Sequence, residues 1–215
     1  MISLQKPYIS VARDGGVSYG GSQLLSDSAC VKKCGCGLIA AADLILYLGG
    51  RGAALTLREY NAFLERISPR YFPLVYPFGI NGLMLAAGLD RFFLRNGLPY
   101  RAIWAISGSK LWERLEEMLR QDIPVILAVG PNFPAVWGKN RLPFYRKLPG
   151  ESYAKACSAK AHYVTATAID EKRLRISSWG NEYYIDRAEY SAYIAEHSSS
   201  LLSNIVLIEK REGKK

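Results

Sequence analysis

An α+β fold, helices in the first half and an antiparallel sheet in the second, is what this 215-residue sequence predicts. Three observations carry the prediction. The run GLIAAADLILYL (37–48) is apolar on every side but one, as in a helix enclosed by protein. Amphipathic segments with helical spacing follow it. From residue 124 onward the pattern changes to short β-rich runs separated by charged turns.

Taken in order, the first thirty-five residues are rich in Gly and Ser and predict mostly loop, with a short strand near the start. In the apolar run, Ala40, Ala41 and Ala42 favour helix and let neighbours approach closely, and Gly49, Gly50 and Gly52 end it. Thr56 with Glu59 forms a capping-box pattern, opening a helix with Leu57, Tyr60, Leu64 and Ile67 on one side. A helix starts after Asn81 and runs through Leu83, Ala87 and Phe93 to a stop at Asn96–Gly97; another starts at Ser109, with Leu111, Leu115, Met118 and Leu119 inward. PVILAVG (124–130) is a strand. HYVTATAID (162–170) and LRISSWG (174–180) flank the turn EKR as a hairpin, followed by the strand EYYID, the helix DRAEYSAYIAEH and the closing strand LLSNIVLIE. Between Gly130 and Lys160, four prolines with aromatic and basic residues predict a long loop, either a binding loop or a surface excursion. With no repeat, low-complexity tract or linker, the chain is expected to be one domain: a mainly helical lobe over about 1–122, a mainly β lobe over about 123–209 and a basic tail at 210–215.

The formal charge of +9 admits nucleic acid, anionic membrane or acidic substrate as partner. The basic residues are scattered, denser in 139–160 and the tail, and no RNP-type or zinc-finger spacing accompanies them; a solvated basic surface is expected and no clear nucleic-acid motif is present. No signal-peptide pattern opens the chain, and the run 38–48 is too short to span a bilayer and contains Asp43. A cytoplasmic protein with no transmembrane segment is therefore expected, its four cysteines kept as thiols.

Three of those cysteines fall in CVKKCGC (30–36). The spacing C-x3-C-x-C is not the paired C-x2-C of structural zinc sites, no second pair exists, and it misses the C-x3-C-x2-C of radical-type iron–sulfur enzymes; neither metal nor cofactor is expected. Cys36 stands at the first turn of the apolar helix, where free N–H groups and the helix dipole favour a thiolate, and Gly37 beside it permits close backbone approach. The competing reading is a small buried cysteine. A thiol nucleophile needs a base, and two histidines are available. His197 ends a polar helix beside SSS and reads as an exposed surface residue. His162 opens a strand in the opposite half of the chain, as a base facing Cys36 across a cleft or as a hydrogen-bonded histidine at a strand end. Asp170 lies in the hairpin turn, too far along the strand to reach His162 at about 3.3 Å per residue.

CGLIAAADLILYLG (36–49) resembles the nucleophile helix of papain-fold cysteine peptidases, and within them the bacteriocin-processing (double-glycine leader) peptidase group, whose motif reads roughly Cys-Gly-Pro-Ala-Ala and ends in Tyr-Tyr-Gly. HYVTATAID resembles the histidine strand of that group and SSWG the strand after it; PVILAVG, IDRAEYSAYI and NIVLIE agree in order and kind, so the likeness covers about residues 20–209. It implies a papain-like domain, with a buried nucleophile helix in the N-terminal lobe and an antiparallel sheet in the C-terminal lobe. It further implies a peptide or protein substrate and a thioester mechanism with Cys36 as nucleophile and His162 as base. Hydrolysis, acyl transfer, and peptide binding by a catalytically impaired member are all compatible with it. The group's oxyanion glutamine corresponds to Gln23, farther upstream than usual, with a loop containing Cys30 and Cys34 to absorb the excess. Its Asn or Asp corresponds to Ser177, which carries no charge. A two-residue turn at Glu171–Lys172 would set Asn181 opposite His162 with Ser177 on the same face, offering Asn181 as a substitute. Trp179 is positioned to shield the histidine's hydrogen bond.

Overall fold

The computed structural model describes residues 1–13, 15–51, 54–106, 110–130 and 140–211. Among them the chain forms β1 (Ile2–Ser3), β2 (Val11–Arg13), β3 (Gly16–Val17), α1 (Ala29–Cys34), α2 (Cys36–Leu48), β4 (Leu55–Thr56), α3 (Leu57–Tyr71), α4 (Gly82–Arg95), β5 (Tyr100–Ile106), α5 (Leu111–Arg120), β6 (Val125–Val129), β7 (Leu142–Lys147), β8 (Tyr153–Ala159), β9 (His162–Ile169), β10 (Arg173–Ser178), β11 (Asn181–Asp186), α6 (Arg187–His197) and β12 (Leu202–Lys210). The architecture is α+β. A large antiparallel sheet runs β5-β12-β6-β9-β10-β11-β7-β8, with β1 added on β9, and a small sheet orders β3-β2-β4. Among the described residues no helix is long and apolar enough to cross a membrane.

α2 is the centre of the molecule. Its residues from Gly37 to Tyr47 are all buried, as an unbroken apolar helix requires. It packs on β9 and β6 on one side and on α3 and α4 on the other, so each buried leucine or isoleucine contributes about 1.5–3 kcal/mol. Gly37 allows the helix to lie this close: a Cβ there would come 2.5 Å from Ile80 Cγ2 and 3.2 Å from the Tyr163 ring on β9. α3 opens with a full capping box, Thr56 and Glu59 bonding reciprocally, and α4 is capped by Asn81.

Several sequence expectations need correction. The first half is not purely helical: β5 pairs with β12 at the edge of the large sheet. The stretch 130–160 is not one long loop, because β7 and β8 form a hairpin joined to β11 through Tyr145 and Tyr184; residues 131–139 lie outside the described ones. α5 begins at Leu111, and Ser109, Gly52 and residues 212–215 of the tail are likewise outside them. His197 is not exposed but 4% accessible, because the end of α6 turns its ring edge-on to Tyr193, with centroids 4.6 Å apart.

Candidate active site

Cys36 is the first residue of α2, preceded by Gly35 with no side-chain cap. The first-turn amides are therefore not claimed by a capping side chain, which is the setting expected to favour a thiolate. Burial outweighs it. The Cys36 thiol is pushed up from its ordinary value by desolvation, and backbone N–H groups of Tyr163, Gly37 and Cys36 offset only part of that.

His162 opens β9, in register with Val129 at the end of β6. Its Nε2 lies 2.8 Å from Ser178 Oγ, and its ring stacks on the Trp179 indole at 4.5 Å between centroids and 18° between planes. Although part of its surface is accessible, the ring sits deep among protein atoms, and that desolvation pushes its pKa down to about 4. At neutral pH the imidazole is uncharged and the thiol is protonated.

The partner of His162 is neither of the residues expected. The hairpin begins in the expected register, with Leu174 opposite Ile169 and Arg175 opposite Ala168, and then shifts so that Ile176 faces Ala166 and Ser177 faces Thr165. One residue of β9, Thr167, is left over as a bulge. A one-residue slip reverses which side chain occupies which face. Ser178 therefore falls opposite Val164, diagonal to His162 and on its face. Ser177 Oγ instead donates to the Tyr19 carbonyl at 2.7 Å. Asn181 belongs to the next strand, opposite Ser178, and its Nδ2 donates to the Trp179 carbonyl at 2.9 Å. Trp179 and Gly180 form the two-residue turn between β10 and β11, both with positive φ, 50° and 72°, as a type I′ turn demands. A left-handed tryptophan is strained, and its indole is held there against the His162 ring.

Gln23 starts a 3₁₀ turn (Gln23–Leu25) and is buried. The excess chain between it and Cys36 is folded as α1, whose Lys32 carbonyl accepts from Gln23 Nε2 at 3.0 Å. That bond uses one of the two amide hydrogens and leaves the other to a second acceptor. The loop is tied to α2 through Asp43: Gly21 N donates to both carboxylate oxygens at 3.1 and 3.0 Å, Tyr60 Oη donates at 2.7 Å and Tyr8 Oη at 3.2 Å. Burial pushes Asp43 up to about 6 despite these bonds. A Cβ on Gly21 would collide with the Tyr60 hydroxyl and ring, so only glycine lets the amide reach the carboxylate. Asp43 was visible in the sequence as the one charge in the apolar helix; that it anchors the glutamine loop was not.

Cys36, His162, Gln23 and Trp179 border one open cleft of about 520 Å³. Cys36, His162 and Gln23 also border a small hollow of about 10 Å³ with Gly21, Asp43, Ser177 and Ser178. Cys30 and Cys34 sit one turn apart on α1 with sulfurs 3.8 Å apart, and burial and the neighbouring thiol push Cys34 up to about 11. Cys157 is on β8. All four are free thiols, and among the described residues no three His, Cys, Asp or Glu side chains gather as a metal-holding group. No model of a known protein family and no curated protein matches the chain.

Proposed function

We propose that the chain is a cysteine-dependent amide hydrolase of papain-like architecture acting on peptides or proteins. The observation that carries the reading is that His162, its Nε2 held by Ser178, borders the same cleft as Cys36 and Gln23. With Nε2–H donated to Ser178 Oγ, Nδ1 presents a lone pair to accept the thiol proton. As Sγ bonds to the substrate carbonyl carbon, the proton passes to His162, and the developing oxyanion takes hydrogen bonds from Gln23 Nε2 and the Cys36 N–H. The C–N bond then breaks, His162 returns the proton to the leaving amine, and water releases the acyl group from Cys36. An acceptor amine in place of water makes the same site an acyltransferase.

Because both groups rest neutral, proton transfer accompanies attack rather than preceding it. A second reading, a catalytically impaired peptide-binding protein, is favoured by the uncharged Ser178, which stabilises an imidazolium less than a carboxylate does. The test is incubation of the wild type and Cys36→Ala with a synthetic peptide library, with new termini and acid-quenched adducts read by mass spectrometry. Cleavage by the wild type alone, with an acyl mass on Cys36, is expected. Identical products from both proteins, or none from a folded wild type, would remove the hydrolase reading.

A further inference from the structure

The charged side chains bordering the 520 Å³ cleft are Lys33, Arg141 and Lys160; no carboxylate among the described residues lines it. They stand on different elements: Lys33 on α1, Arg141 just before β7, Lys160 between β8 and β9. All three are exposed, and none has an ion-pair partner among the described residues, where the salt bridges form elsewhere. Arg141 and Lys160 are more closely related still. Leu142 pairs with Ala159 across the β7–β8 hairpin, and one step outward the same register sets Arg141 opposite Lys160. Like charges directly opposed across an antiparallel pair are unfavourable; the nearby carboxylate, Glu196, accepts from Asn140 Nδ2 at 3.2 Å and forms no ion pair with either cation among the described residues.

Part of the lining is apolar. Val75, Pro77, Phe78, Ile80 and Met84 border the cleft, and Val75 and Phe78 remain 51% and 74% exposed. Exposed apolar side chains beside cations that form no ion pair mark a recognition surface rather than a solvated face.

Resting on the hydrolase reading, we infer that the occupant of this cleft is an acidic peptide: an extended segment that lays an apolar side chain against Val75 and Phe78 and places Asp or Glu side chains at Lys33 and at the Arg141–Lys160 pair. Arg141, Lys160 and Lys33 are then the specificity-determining residues, and none of them takes part in bond breaking.

The test separates binding from turnover. Cys36→Ala is titrated with fluorescein-labelled peptides that share an apolar core and differ only in flanking Glu against Gln. The Glu peptide is expected to bind about 10-fold more tightly at 20 mM salt, with the advantage gone by about 0.5 M. Arg141→Glu/Lys160→Glu, both exposed and outside the core, is expected to abolish or invert that preference while keeping the wild-type circular dichroism. In parallel, wild-type cleavage sites in a peptide library are expected to be enriched in acidic residues. Equal binding of the Glu and Gln peptides, or a preference untouched by the charge reversal, overturns the inference. So does cleavage without acidic enrichment, which leaves the hydrolase reading standing. Charge-dependent binding with no cleavage by the wild type sustains the acidic occupant and removes the hydrolase.

Discussion

Tyr60→Phe removes a single oxygen from the network that ties the Gln23 loop to α2, and its cost should depend on pH. The Tyr60 hydroxyl donates to Asp43 Oδ1 at 2.7 Å in a fully buried setting. With Asp43 ionised, a bond to a charged acceptor contributes about 1.5–3 kcal/mol; with Asp43 protonated, a neutral pair contributes about 0.5–1.5 kcal/mol. Burial raises the Asp43 pKa from 3.8 to about 6 in the folded protein. A group raised on folding contributes stability that is fully present below its unfolded pKa and is lost as pH rises through the folded one. In the wild type that loss is complete a little above pH 6. Without the Tyr60 bond, which favours the carboxylate, the folded pKa rises by about one further unit, since one unit corresponds to about 1.4 kcal/mol. The loss then extends to about pH 7. Urea denaturation should therefore show Tyr60→Phe costing about 1 kcal/mol at pH 5 and about 2 kcal/mol at pH 8, with an unchanged m-value. A cost equal at the two pH values, or larger at pH 5, would refute the assignment of Asp43 as the buried carboxylate that Tyr60 serves.

Ser178→Asp should raise the His162 pKa from about 4, because a carboxylate beside Nε2 favours the imidazolium; Ser177→Asp, set toward the Tyr19 carbonyl, should move it far less, as read by NMR titration of the ring protons. His162 is depressed from 6.5 on folding, so its contribution to stability is present above about pH 6.5 and lost as pH falls through 4, and urea midpoints should fall across that window less steeply in His162→Phe. Gly37→Ala should cost about 1–3 kcal/mol by overpacking against Ile80 and Tyr163, with partial rescue of the thermal midpoint by Ile80→Ala. Iodoacetamide should modify Cys36 with a pH midpoint above the ordinary 9.0 of a thiol, read by peptide mass spectrometry; fast labelling near pH 6 would contradict the neutral resting pair.

The parts of the fold written in local signals were legible. The apolar α2, the Thr56–Glu59 capping box and the Asn81 cap each follow from residues within a few positions of one another. The parts set by distant pairing were not. β5 becomes a strand because β12, a hundred residues later, supplies its hydrogen bonds, and the proline-bearing β7 is a strand because β8 and β11 flank it. The candidate site divides the same way. Cys36 and His162 stand out by chemistry and position, but the serine that reaches His162 depends on a bulge at Thr167 that no alternation reveals, since Ser177 and Ser178 are the same residue type. His197 ends a polar helix in sequence yet is 4% accessible in the folded chain, which the polar residues beside it do not show.

α2 carries the sulfur at its first turn and, seven residues on, the carboxylate that holds the Gln23 loop, a separation of about 10 Å along one rod. His162, Ser178 and Trp179 ride on the sheet instead. The loop leading to Gln23 is pinned to both: Gly21 N donates to Asp43 on α2, while Tyr19 accepts from Ser177 Oγ on β10 and donates its N–H to the Gly180 carbonyl. The strap before Gln23 thus ties the helix that carries the sulfur to the sheet that carries the imidazole. A substitution at Asp43 or at Ser177 would release one end of that strap and displace the glutamine without altering Cys36 or His162.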